Sequence, residues 1–138
     1  MQTDFLDAHE RHWDDAERLL QAQRWANADH LYGVAAECGL KRLMLAFGMQ
    51  FDQEHDRPKE AQDRKHANDI WLRFESYRSG HYLGIEYSLP DYTPFDNWDV
   101  AQRYAHQSHF DQTRAQVHQN GARAVSELIK KAQREGLI

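Results

Sequence analysis

Residues Arg24 to Phe47 read RWANADHLYGVAAECGLKRLMLAF, and this stretch decides the fold. Its length and helix-forming texture predict one long helix, entered near Trp25 and stopped by Gly48. The middle, Leu31 to Ala36, is apolar on every side. A surface helix carries a single apolar stripe, so a helix apolar all round is a central one with neighbours packed about it. Glu37, Lys41 and Arg42 fall within this setting. Glu37 and Lys41 are four residues apart with the acid first, the favourable order for a helical ion pair of about 0.2–0.5 kcal/mol. The group reads either as that pair on a partly exposed face or as a polar element of a site.

Helical periodicity continues on both sides. Phe5, Ala8, His12, Trp13, Ala16, Leu19 and Leu20 predict a first helix from Thr3 or Asp4 to Gln21. Met49 to Lys59 reads as a polar connection, in which Pro58 suits the first turn of the next helix. That third helix is expected over Glu60–Ser79, with a stripe of Ala67, Ile70, Trp71, Phe74 and Tyr77. The texture then changes to HYLGIEYSLPDYTPFDNW, residues 81–98. The alternation of Ile85, Tyr87 and Leu89 suggests a short edge strand within a long aromatic loop, and long loops are more often functional than filler. Asp96 or Asn97 is expected to cap a helix starting at Trp98. Ser108 with Asp111 resembles a capping box ahead of a last helix reaching Arg134. In that helix Phe110, Val117, Ala124, Val125, Leu128 and Ile129 are expected inside. The fold class read from this is all-α. It is a four-helix up-and-down bundle with an extra short helix and a long aromatic loop, one domain over residues 1–138. Tyr32, Ala35, Trp71, Phe74, Val125 and Leu128 are expected to share its core.

Composition narrows the function classes. The 138 residues are 41% hydrophobic and carry a net charge of −5, and mean hydropathy is −0.91. No apolar run approaches the ~18 residues of a membrane span, and the acidic start is unlike a signal peptide. A cytoplasmic protein without membrane contact is expected, with the single cysteine, Cys38, a small core residue. The negative balance gives no global attraction to nucleic acid, so an RNA-binding role needs a local basic patch.

Nine histidines are spread along the chain. His9 and His12 share a helical face, but neither HExxH nor Cys/His metal spacing is present. No metal site or cofactor is expected, and the pair reads as solvated or interfacial. Arg103, His106 and His109 form another group. An arginine and a histidine suffice for metal-free RNA cleavage: the imidazole moves protons at the 2′-hydroxyl and the leaving oxygen, and the guanidinium stabilises the developing phosphorane charge. On a regular helix Arg103 and His106 share a face, whereas Arg103 and His109 are turned about 120° apart. A kink near Ser108 or a second subunit would be needed to bring them together.

These elements together resemble the HEPN family, the nucleotide-binding helical bundles of higher eukaryotes and prokaryotes. The resemblance runs from the first helix to about Gly136. It is carried by the Tyr32-Gly33-x-Ala35 core and Glu37-Cys38-Gly39-Leu40-Lys41-Arg42 of the second helix. His66-Ala67-Asn68-Asp69-Ile70-Trp71 and the spacing of Arg103 to His109, like the Arg-x(4–6)-His signature of the ribonuclease members, add to it. The resemblance implies catalytic roles for Arg103 and His109, supporting or binding roles for Glu37, Lys41, Arg42, Tyr104 and His106, and a homodimer joined through the Trp98–Phe110 segment. Tyr104 stands where catalytic members usually carry a polar residue. Trp98-x4-Arg103-Tyr104 also resembles non-catalytic members that bind nucleotides or partner a nucleotidyltransferase. Two functions are expected on this basis: a nucleotide- or RNA-binding module of a toxin–antitoxin or defence-type system, or a metal-independent endoribonuclease using Arg103 and His109. A metal-dependent helical-bundle enzyme is a third, from another class.

Overall fold

The computed structural model describes all 138 residues and is all-α apart from one two-residue hairpin. Helix α1 spans Phe5–Gln21, with the Asp4 carboxylate accepting from the N–H groups of Leu6 and Asp7. A tight turn leads into α2, Trp25–Ala46. Strands β1 (Phe51–Asp52) and β2 (Arg57–Pro58) pair antiparallel, helix α3 covers Ala67–Ser79, and α4 covers Gln112–Arg134.

Helix α2 is the hub. Its buried residues, from Ala28 through Tyr32, Ala36 and Leu40 to Met44, cover most of its circumference, with Leu31, Val34, Cys38 and Leu45 half-buried, and α1, α3 and α4 each pack on it. Gly39 permits α1 and α4 to approach α2 closely. A Cβ there would lie 2.5 Å from Val125 of α4 and 2.7 Å from the His9 ring of α1. Helices α2 and α4 run in the same direction, since Asp29 meets His118 and Gly39 meets Val125. Helix α1 runs against α4, with Glu17 bonded to Gln119 and Glu10 to Gln133. Tyr32, Trp71, Phe74 and Val125 share one core with Leu128 packed against it, and Ala35 is fully buried.

The aromatic loop completes this core from outside the helices. Phe95 meets Trp71 edge-on and stacks on His118, and Pro94 and Phe95 cover Gly121. The loop thereby fills the space between α3 and α4.

Several local expectations give way. The connection after α2 contains the β1–β2 hairpin, and Pro58 is buried in β2 rather than opening a helix. The expected third helix is divided into a 3-10 turn at Ala61–Arg64 and α3. Asp63, fully buried, is bonded by Arg73 at 2.7 Å and Tyr77 at 2.5 Å, which folds that turn back onto α3. No edge strand forms at Ile85–Leu89. A 3-10 turn (Gly84–Glu86) leaves Ile85 exposed and turns Tyr87 inward onto Phe47. The helix expected at Trp98 is a 3-10 turn, Val100–Tyr104, capped by Asp99, because Trp98 itself is plugged into the core. Asp111, not Ser108, caps α4, and Val117 faces solvent.

His9 corrects the reading of its pair as solvated or interfacial. The ring is 1% exposed and its Nδ1–H donates to the Ala35 carbonyl at 2.8 Å. Burial holds its pKa below the ordinary 6.5, although the Ala35 bond pulls the other way. A histidine with a lowered pKa binds fewer protons folded than unfolded, so its stabilising contribution is present above pH ~6.5 and is lost as pH falls toward the folded pKa. His12 and His30 are shifted in the same direction by burial. Urea unfolding should therefore show a lower midpoint at about pH 5.5 than at about pH 7.5, with a shallower dependence in His9→Gln. Identical pH profiles for the two proteins would assign the effect elsewhere.

Candidate functional site

The start of α2 and the Val100–Tyr104 turn enclose a cleft of about 340 Å³. Arg24, Trp25, His30, Arg103 and Phe110 line it together with side-chain amides, and none of the eleven lining residues is acidic. That distinguishes it within a chain of 22 acidic and 17 basic residues. The Arg24 side chain is exposed and makes no hydrogen bond or ion pair, and the Arg103 side chain makes only a cation–π contact, 4.8 Å over Tyr104. Helix α2 begins at this cleft with no side chain capping it, and the N–H groups of Trp25, Ala26 and Asn27 have no acceptor in the protein. Gln23, at φ 60, is held in the left-handed region at the cleft wall, a conformation costing a non-glycine residue roughly 1–2 kcal/mol.

His30 forms another wall. Its ring stacks on Trp98, 5.6 Å apart and 12° from parallel, and its Nδ1 is buried without a hydrogen-bond partner. Burial first, and the Arg103 charge second, hold its pKa down, so the imidazole is neutral at pH 7.

Behind the cleft lies the network that positions it. Asp29, fully buried, meets His118 Nδ1 at 2.8 Å and accepts from the Gln102 amide, while His118 Nε2 lies 2.8 Å from Asn97 Oδ1. Arg114 Nε is 3.3 Å from the same Asp29 carboxylate, a charge contact without hydrogen-bond alignment. The Trp98 indole donates to the Asp29 carbonyl at 3.3 Å. Asp29 thus fastens α4 and the turn that carries Arg103 through its carboxylate, and Trp98 through its backbone carbonyl.

The residues expected from sequence separate into distinct places. Arg103 lines the cleft, whereas His109 lines a neighbouring hollow with Asn97, Asp99 and Arg114. Gln102, Ala105 and Phe110 border both. Arg103 and His109 do not share a regular helix, because the segment is two 3-10 turns joined by extended backbone at Ala105 and His106. His106 accepts from the Ser108 N–H and so caps the second turn, and Tyr104 is 79% exposed beneath Arg103. Lys41 donates to Glu37 at 2.7 Å in a nearly dry setting, and Glu37 also meets His66 at 3.1 Å. This pair joins α2 to the start of α3 and does not line the cleft. Arg42 lines a third hollow beside Met1–Phe5. Burial pushes the Cys38 thiol up to about 12, leaving it unreactive at neutral pH. No three His, Cys, Asp or Glu side chains converge as a metal-ligand set, and no helix is long and apolar enough to cross a membrane.

Arg24, His30 and the Asp29–His118 network escaped the sequence reading. The available signal was Asp29-His30 at the edge of the apolar stretch of α2, a charge and an imidazole where the helix needs neither for solubility. No family model, no curated protein and no solved structure matches the chain.

Proposed function

We propose that this chain is a HEPN-like module that binds a nucleotide or a short RNA segment in the cleft between the start of α2 and the Val100–Tyr104 turn. The observation that carries this reading is a cleft with two carboxylate-free guanidiniums, a neutral imidazole and no acid, in a chain that is acidic overall. Guanidinium groups recognise phosphate through paired N–H donors, and the partly exposed Trp25 offers aromatic surface for a base. The separation of Arg103 from His109 supports binding over cleavage by a single chain. The ribonuclease reading needs His109 from a second copy. In the Trp98–Phe110 segment proposed for such a homodimer, Trp98 and Phe110 are already buried within the chain, so of its aromatic and arginine residues Arg103 and Tyr104 are exposed for a partner, as is His109. A role beside a nucleotidyltransferase-like protein in a toxin–antitoxin or defence-type pair rests on the Trp98-x4-Arg103-Tyr104 resemblance.

Fluorescence anisotropy with labelled single-stranded RNA tests the binding reading. Arg103→Ala is expected to weaken binding about tenfold or more, the worth of one charge-assisted contact, and His109→Ala to leave it unchanged. RNA cutting that persists in excess EDTA and is lost in His109→Ala would replace this reading with the ribonuclease one.

A further inference from the structure

The site's charge and size define its ligand more closely. Arg24 and Arg103 converge on one small cleft from distant parts of the sequence, both exposed and both without an acidic partner. Other arginines, such as Arg42 and Arg123, also lack a carboxylate, but only in this cleft do two such guanidiniums meet with no acidic residue in the lining. Two unneutralised guanidiniums match the roughly two negative charges of a phosphate monoester better than the single charge of an internal phosphodiester. The unpaired first-turn N–H groups of α2 add donors of the same sense. The His30 ring lines the same cleft beside the two guanidiniums, stacked on Trp98 behind it. A volume of about 340 Å³ is at the small end of ligand sites, suited to a terminal group rather than a strand passing through.

We infer that the cleft recognises a terminal phosphate monoester, as borne by a mononucleotide or the end of an RNA, with Arg24 and Arg103 gripping the phosphate and the His30 ring forming the wall beside it. This rests on the reading of the cleft as the ligand site. The test is calorimetric titration of the full chain with adenosine, AMP and the dinucleoside monophosphate ApA, followed by 5′-phosphorylated and 5′-hydroxyl forms of one oligoribonucleotide.

AMP should bind about tenfold or more tighter than adenosine, with ApA close to adenosine. Arg24→Gln and Arg103→Gln should each reduce AMP to the affinity of adenosine without changing the melting temperature, because neither guanidinium has an acidic partner in the protein. A 5′-phosphate preference in the oligonucleotide identifies an RNA end as ligand, and its absence beside tight AMP binding identifies a free mononucleotide. Equal affinities for adenosine and AMP, or an AMP preference that survives both substitutions, overturns the monoester inference and leaves the cleft as a nucleoside site. Failure of every probe to bind overturns the inference and the proposed function together.

Discussion

Asp29→Ala is expected to remove about 3–5 kcal/mol of stability, the cost of breaking a buried charge-paired group by deleting one partner. Asp29 is fully buried and meets His118, Gln102 and Arg114. Its loss strands the inward-facing nitrogen of His118 and leaves the guanidinium of Arg114 without a carboxylate. Against a typical domain stability of roughly 5–15 kcal/mol this is a large fraction. Asp29→Asn should cost less, because an amide oxygen still accepts one of the three contacts. Urea unfolding of both variants with His118→Ala and the double mutant measures the coupling directly. A double mutant no worse than Asp29→Ala alone is the expected result, since the removed groups act as one network. A loss below about 1 kcal/mol for Asp29→Ala would mean that solvent, not His118, satisfies the carboxylate.

The second large effect is at Trp98. Its indole is 1% exposed, stacks on His30, donates to the Asp29 carbonyl and fills the notch left by Gly33. Trp98→Ala should cost about 3–5 kcal/mol through lost burial and the cavity that remains. A Cβ at position 33 would come within 2.1–2.6 Å of the ring. Gly33→Ala should therefore destabilise by roughly 1–3 kcal/mol, even though alanine gains about 1 kcal/mol in helix propensity. The two changes damage the same fit, so adding Gly33→Ala to Trp98→Ala should cost little or be favourable. Strict additivity would show that α2 and the loop do not interlock there. Both variants should also speed amide exchange across Val100–Tyr104, because that turn is anchored by its neighbour Trp98 and by Gln102.

The central helix was legible because its reading depends on local composition: an apolar girdle from Leu31 to Ala36 has no stable place but the middle of a bundle. Helix ends were legible where the signal is local, as at Asp4, Gly48 and Arg134. The segment from His81 to Phe110 was not, because its form is set by long-range plugs. Phe95 seats against Trp71 and His118, and Trp98 against Gly33. Alternation at Ile85, Tyr87 and Leu89 reads as a strand only if the anchoring of Tyr87 on Phe47 is unknown.

The candidate site was half legible for the same reason. Arg103 was found through its spacing to His109, yet that spacing presumes a helix that the Ala105–His106 break removes. Its actual neighbours, Arg24 and His30, lie far off in sequence and are brought near by the Asp29–Gln102 bond. No spacing rule within the Arg103 segment contains that information.

The most direct measurement of the central claim is a two-dimensional NMR titration of the isotope-labelled chain with AMP. AMP should move chiefly the signals of the Trp25 indole, the His30 ring, the Gln102 side-chain amide and the Arg103 guanidinium. Shifts confined to the His109–Arg114 hollow or to the Arg42 hollow, with the Trp25 and His30 signals unmoved, would contradict it.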